Sequence, residues 1–223
     1  MTDELQQYLL ACAIAEKRYE ADPWAWMVEQ VRTVDEARQV AGAPWPDMDY
    51  LHDLVRVLED ENERLICLVK SRRMMASWAV AAWSAWRCRY HRANAVLWQS
   101  LTEERSAYAL EKRIQYIEDN LRDAPIRRLY KATRTKGGVG NITWDSTGSW
   151  VHAVPQGPDV FRSYTPSILI MDECDTQPQA EAALTAALPL AEKQAKIVLI
   201  TTSQGPSKPA ARIAKSAGFT RWT

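Results

Sequence analysis

The run Pro166-Ser167-Ile168-Leu169-Ile170-Met171-Asp172-Glu173-Cys174-Asp175 holds the densest chemistry in the chain. Consecutive apolar residues without helical spacing read as a buried strand, with two acids directly at its C-terminal end. Ligands of an open α/β sheet bind at the C-terminal ends of strands, so these carboxylates would face a crevice. Adjacent acids there suit two tasks: Asp172 holding Mg²⁺, and Glu173 orienting or deprotonating a water. A polar turn that merely ends the strand is the alternative.

A second apolar run, Leu65-Ile66-Cys67-Leu68-Val69, leads through Lys70-Ser71-Arg72-Arg73-Met74-Met75-Ala76-Ser77 into a helix rich in Ala and Trp. Strand, loop, hydroxyl and helix form the layout of a phosphate-binding loop. Its backbone N–H groups and helix N-terminus would meet an anion, and its hydroxyl would reach Mg²⁺. The usual pattern GxxxxGK[ST] is not kept. Aligned on Ser77, its glycines become Lys70 and Met75, and its lysine becomes Ala76. Lys70, Arg72 and Arg73 could still supply the cation that the phosphates need. A basic turn without a ligand is the alternative. A third strand, Lys196-Ile197-Val198-Leu199-Ile200, ends in Thr201-Thr202-Ser203 and brings hydroxyls to the same edge. Such a tip can sense a terminal phosphate and couple its loss to movement, or simply cap the next turn.

The elements that must carry these residues are legible as a pattern. Helices are predicted over 3–21, from Trp24, over the stretch through Leu51, Leu54, Val55 and Leu58 with Asp47 as its cap, and over about 77–90, 102–121 and 178–190. Gly42-Ala43-Pro44-Trp45-Pro46-Asp47 reads as a loop, Ala95-Val96-Leu97-Trp98 as a strand, and 142–154 as a hairpin turning at Ser146-Thr147-Gly148. Strands alternating with helices imply an α/β fold with a mostly parallel sheet flanked by helices.

Composition narrows the function classes. With 223 residues and 47% hydrophobic content, the chain can bury one sizeable core. No apolar run approaches the roughly 20 residues of a membrane span, and Met1-Thr2-Asp3-Glu4-Leu5 lacks the start of a secretory signal. No membrane partner is therefore expected. Cys12, Cys67, Cys88 and Cys174 and the three histidines are scattered, so buried free thiols are expected rather than a zinc site. The formal net charge is zero, so any nucleic-acid contact must come from a local patch. Arg127-Arg128-Leu129-Tyr130-Lys131-Ala132-Thr133-Arg134 could be such a patch, although solvated charge on a loop is the more common explanation of such runs.

The glycine-poor basic loop, the Met171-Asp172-Glu173 strand tip, the Thr201-Thr202-Ser203 tip and the upstream Pro46-Asp47-Met48-Asp49-Tyr50-Leu51 together resemble the phage terminase large subunit, over roughly residues 40–205. The resemblance implies a P-loop NTPase core of the ASCE, RecA-like kind over 61–223, with 1–60 as an N-terminal helical extension. Its implied activity is ATP hydrolysis driving double-stranded DNA into viral procapsids, with ATP and Mg²⁺ as cofactors. It further implies that residues 70–77 bind nucleotide, with Lys70 on the phosphates and Arg72 or Arg73 assisting. Ser77 and Asp172 would hold Mg²⁺, Glu173 would activate water, and Thr201, Thr202 and Ser203 would couple hydrolysis to movement. Arg162 would reach a neighbouring subunit's site, unless it is a plain surface arginine. Arg127, Arg128, Lys131 and Arg134 would meet DNA. Implied partners are the portal protein, the small terminase subunit and further copies in a ring on the portal, in the host cytoplasm and transiently on the procapsid. The segment after Ser203 is too short for the nuclease domain of such subunits, so that domain is expected to be absent from this chain. Two other readings fit the same residues: a nucleotide-binding structural packaging subunit with little ATPase, and a helicase-like fragment. No helicase-type arginine motif and no second RecA-like domain supports the latter.

Overall fold

The continuous apolar runs at 65–69, 95–98, 168–171 and 196–200 all become strands of one sheet, because both of its faces are covered. The computed structural model describes residues 3–35, 40–71, 74–123, 132–134, 140–202, 212 and 218–223, with backbone alone at 132–134 and 162.

The chain opens with helices α1 (Asp3–Ala21) and α2 (Pro23–Gln30). Asp22 caps the second by accepting from the Ala25 N–H at 3.0 Å, ahead of Pro23 in its first turn. Strands β1 (Arg32–Asp35) and β2 (Val40–Pro44) pair antiparallel as a separate ribbon. Helix α3 (Asp49–Glu59) follows, then β3 (Leu65–Lys70), α4 (Ala76–Tyr90) and β4 (Ala95–Gln99). One long helix is made of α5 (Glu103–Ala109), a π-helical segment (Leu110–Gln115) and α6 (Tyr116–Asp119). Strands β5 (Ala132–Arg134), β6 (Asn141–Trp144) and β7 (Ser149–Val154) precede the short α7 (Val160–Ser163) and β8 (Ile168–Met171). Helix α8 (Ala180–Glu192), β9 (Lys196–Thr202) and β10 (Thr220–Trp222) complete the described elements.

The sheet runs β10-β3-β9-β8-β4-β7-β6-β5. Strands from β10 through β7 are mutually parallel, and β6 and β5 extend the sheet antiparallel. Side chains alternate between two cores, as the period of two requires. Ile66, Leu68, Trp98, Ile170 and Val198 join the core under α2, α3 and α4. Cys67, Leu97, Leu169, Met171 and Leu199 join the one under α8. Strand β9 lies between β3 and β8, so the basic loop and the acidic tip leave the same edge two strands apart.

Three expectations need correction. Asp47 does not cap α3; Met48 stands at that position and gives no side-chain hydrogen bond. The stretch expected to be a loop at 42–47 begins inside β2, whose residues are mostly exposed and so lack an apolar alternation. Helix α1 forms where its spacing put it, but Leu5 and Leu9 lie exposed, and the buried residues are Glu16 and Tyr19. Among the described residues no helix is long and apolar enough to cross a membrane.

The long helix is fixed to α4 by a buried ion pair. Arg89 Nη1 donates to Glu118 Oε2 at 2.7 Å, and the two side chains are 0% and 3% exposed. Removing one partner strands a charge in a dry environment. Arg89→Met should therefore cost about 3–5 kcal/mol, read from chemical denaturation, and Glu118→Leu in the same chain should recover most of it. A single-variant loss below about 1 kcal/mol would show that the pair does not hold the helix in place.

Candidate active site

Strand β3 delivers Lys70 to the sheet edge, and the chain then turns into α4. Met75 makes that turn with φ 55° and ψ 4°, the left-handed conformation, immediately before the helix. It stands where the usual pattern has its second glycine. The loop thus keeps the glycine's backbone with a methionine, at a cost of roughly 1–2 kcal/mol. Met75 gives no side-chain cap to α4, so among the described residues no N-cap side chain takes up its first-turn N–H groups, which can meet an outside acceptor. Those amides and the positive end of the helix dipole favour an anion, and the buried Ser77 lies in the same turn.

A cavity of about 400 Å³ opens over this turn. On the loop side it is lined by Lys70, Ser77 and Arg113 together with Met74, Met75, Ala76 and Trp78. Val34, Pro44, Pro46, Met48 and Tyr50, from the ribbon and the approach to α3, form an apolar wall that also carries Thr33 and Asp35. Tyr116 fastens the two walls together: its hydroxyl accepts from the Gly42 N–H at 2.8 Å, and its ring meets Trp78 edge-on at 5.9 Å. A flat apolar slot beside a cationic, amide-rich turn can take a planar ring at one end and phosphates at the other.

Asp172 follows the last residue of β8 and is buried, with its backbone N–H donating to the Gln99 carbonyl at 2.8 Å. Its Oδ1 accepts from the Glu173 N–H at 3.1 Å, and Oδ2 lies 3.9 Å from Arg113 Nη1. Burial pushes its carboxyl above the usual range; Arg113 and then Lys70 pull it back, and Glu173 pushes it up again. Glu173 takes φ 55°, a second left-handed residue, and the sharp turn separates the acids. Asp172 stays inside, while exposed Glu173 lines a neighbouring cavity of about 150 Å³ with Ser100, Arg105, Arg113 and Thr176. Gln177 Nε2 secures the turn by donating to the Asp172 carbonyl at 2.8 Å.

The structure therefore brings together Lys70, Met74, Met75, Ala76 and Ser77, with Asp172 and Glu173 beside them. Ser71 is exposed. Thr201 and Thr202 pair with Val69 and Lys70 in the sheet, which puts the hydroxyl tip alongside the lysine. Arg72, Arg73, Ser203, Arg127, Arg128 and Lys131 lie outside the described residues, and Arg134 and Arg162 are described in backbone only, on β5 and α7. Sequence reasoning missed Arg113 and the ribbon. Arg113 sits in Glu111-Lys112-Arg113, which reads as an ordinary solvated helix face. Among the described residues no three of His, Cys, Asp and Glu converge as an all-protein metal cage would require. Ser77 and Asp172 each offer a hard oxygen donor of the kind Mg²⁺ accepts beside water and phosphate, Ser77 on the larger cavity and Asp172 on the smaller.

A mostly parallel sheet flanked by helices, with the Lys70 strand and the acid-tipped strand on either side of a third, matches an α/β fold of the P-loop ATPase kind. No family model and no curated protein matches the chain by sequence. Solved structures match it by fold. The HK97 bacteriophage large terminase superposes with a TM-score of 0.64 at 14% identity, over 86% of this chain and 40% of that one. The large terminase of a thermophilic bacteriophage, solved with ADP, gives 0.56 at 14% identity over 80% and 46%. The Thermus phage P74-26 large terminase ATPase domain gives 0.52 at 13% identity over 72% and 66%. The chain spans less than half the length of the first two, and its fold is that of phage large-terminase ATPase domains.

The Asp172 environment generates a pH prediction. A carboxyl whose folded pKa lies above its unfolded value favours the fold at low pH and loses stability as pH rises through the folded pKa. Asparagine escapes that loss. Asp172→Asn should therefore unfold at equal or higher denaturant than wild type at pH 8, with the advantage vanishing toward pH 4. A variant less stable at pH 8 would mean that Arg113 and Lys70 outweigh burial.

Proposed function

We propose that the chain is the ATP-hydrolysing motor domain of a viral terminase large subunit, which drives double-stranded DNA into procapsids. One observation carries this reading above the rest. The Lys70 loop and the Asp172–Glu173 tip leave the same edge of the sheet two strands apart, and Arg113 lines the cavity beside each. Support also comes from the terminase-like fold and from the large terminase of a thermophilic bacteriophage solved with ADP and with ATP-γ-S. On this reading residues 1–60 extend a core at 61–223.

The division of labour follows from the chemistry. The α4 amides and Lys70, with Arg72 and Arg73, hold the phosphates, and Ser71 and residues 74–76 shape the loop around them. Ser77 and Asp172 would hold Mg²⁺, which would supply positive charge against the charge that develops in phosphoryl transfer. Glu173, exposed in its own cavity, orients a water and takes its proton as the water oxygen bonds to the γ-phosphorus. The bond to the β–γ bridging oxygen breaks, and ADP leaves with that electron pair. Thr201 and Thr202, on the strand next to β3, with Ser203 following them in the sequence, pass the loss of the γ-phosphate to the rest of the domain. Arg162 on α7 completes the site of a neighbouring copy in a ring on the portal. Arg127, Arg128, Lys131 and Arg134 track the DNA backbone, and the small terminase subunit is a further partner. Such a protein works in the host cytoplasm and transiently on the procapsid.

Magnesium-dependent ATP hydrolysis, measured with and without double-stranded DNA, tests this. Glu173→Gln should lower turnover by roughly 10²-fold or more while ATP affinity stays near wild type, because its role lies in the reaction and not in binding. Equal losses of binding and turnover would assign Glu173 to binding. Mixing Glu173→Gln with Arg162→Ala subunits should restore part of the assembly-stimulated rate, since some interfaces then pair an intact Glu173 with an intact Arg162. No restoration would put Arg162 in its own subunit's site.

A further inference from the structure

Arg113 belongs to none of the loop or strand-tip motifs, yet it lines both cavities: the larger with Lys70 and the α4 turn, the smaller with Asp172 and Glu173. It thus stands at the junction of the phosphate loop and the acids. Its guanidinium pairs with Asp172 Oδ2 at 3.9 Å, close enough for attraction and too long for a hydrogen bond. Among the described residues its planar fork of N–H donors makes no hydrogen bond, and that fork matches a phosphoryl group. The side chain is 23% exposed, held between wall and solvent. Its backbone lies in the π-helical segment Leu110–Gln115, a widening that re-aims side chains and recurs at functional sites. The buried Arg89–Glu118 pair and the Trp78–Tyr116 contact hold that helix against α4.

We propose that Arg113 reads the terminal phosphoryl group, distinguishing nucleoside triphosphate from diphosphate. The inference rests on the nucleotide reading of the site and adds a discriminating residue to it. A triphosphate bound along the α4 turn extends toward Glu173, and its last phosphoryl group enters the region that Arg113 shares between the cavities. A diphosphate stops short and is held by the loop alone.

The test is calorimetric titration of ADP and of a non-hydrolysable ATP analogue, each with Mg²⁺, into wild type, Arg113→Gln and Arg113→Lys. Arg113→Gln should weaken the triphosphate analogue by roughly 10-fold or more, as expected for a lost charge-assisted contact, with ADP changed less than about threefold. Arg113→Lys keeps the charge without the fork and should fall between. Equal weakening of both nucleotides, or an unchanged triphosphate affinity, overturns the role of Arg113 while leaving the nucleotide site standing. A folded wild type that binds neither nucleotide overturns the nucleotide reading, and this inference with it. Melting curves of each variant separate loss of fold from loss of contact, and a misfolded Arg113→Gln leaves the decision to Arg113→Lys.

Discussion

A buried carboxylate at the tip of a central strand must be balanced by cations brought from elsewhere, and this constraint organises the chain. Asp172 is desolvated on β8, which by itself favours its neutral form. The compensating charges come from two other elements, Lys70 at the end of β3 and Arg113 on the π-helical segment. Each therefore needs a fixed address. Register with β9 gives Lys70 its place, and the Arg89–Glu118 pair gives Arg113 its place. That pair is itself a buried charge problem solved by close contact, so one electrostatic solution stands on another. The two cations offset part of the burial cost, and the Asp172 carboxyl still stays above its usual range.

The same economy appears in the loop. Glycine is usual before a phosphate-binding helix because the backbone there must turn left-handed. Here Met75 adopts φ 55° and accepts the strain, and its side chain becomes part of the cavity wall. Glu173 carries the matching left-handed turn on the acidic side. Met75 lines the larger cavity and Glu173 the neighbouring one, so both departures from easy backbone geometry border the candidate site, where strain is expected when geometry serves chemistry. Lys70 precedes the turn instead of following it, so its charge approaches from the strand side, beside Thr202.

Most of the sheet was legible in the sequence because it is buried on both faces. Runs such as Ile168–Met171 and Lys196–Thr202 carry no polar alternation to confuse them, and the acids at 172–173 mark their functional end. The 146–148 turn was legible from its Ser-Thr-Gly composition. The β1–β2 ribbon was not, since its second strand is exposed and contains Gly42 and Pro44, residues that argue against a strand. Arg113 was hidden for a different reason. A π-helical turn changes which face a residue occupies without changing the local composition, so a site arginine looks like a solvated one. Helix α1 shows the reverse case, where Leu5, Leu9 and Cys12 give the spacing of a helix without identifying a buried face.

The central claim is that the cavity between the ribbon and the α4 turn holds a nucleotide. Photolabelling with 8-azido-ATP in the presence of Mg²⁺, followed by peptide mapping, tests it most directly. ATP-competed labelling should be confined to peptides from the 33–50 region, which lines the cavity opposite the α4 turn. Labelling that ATP does not compete, or competed labelling confined to peptides remote from both walls, would contradict it.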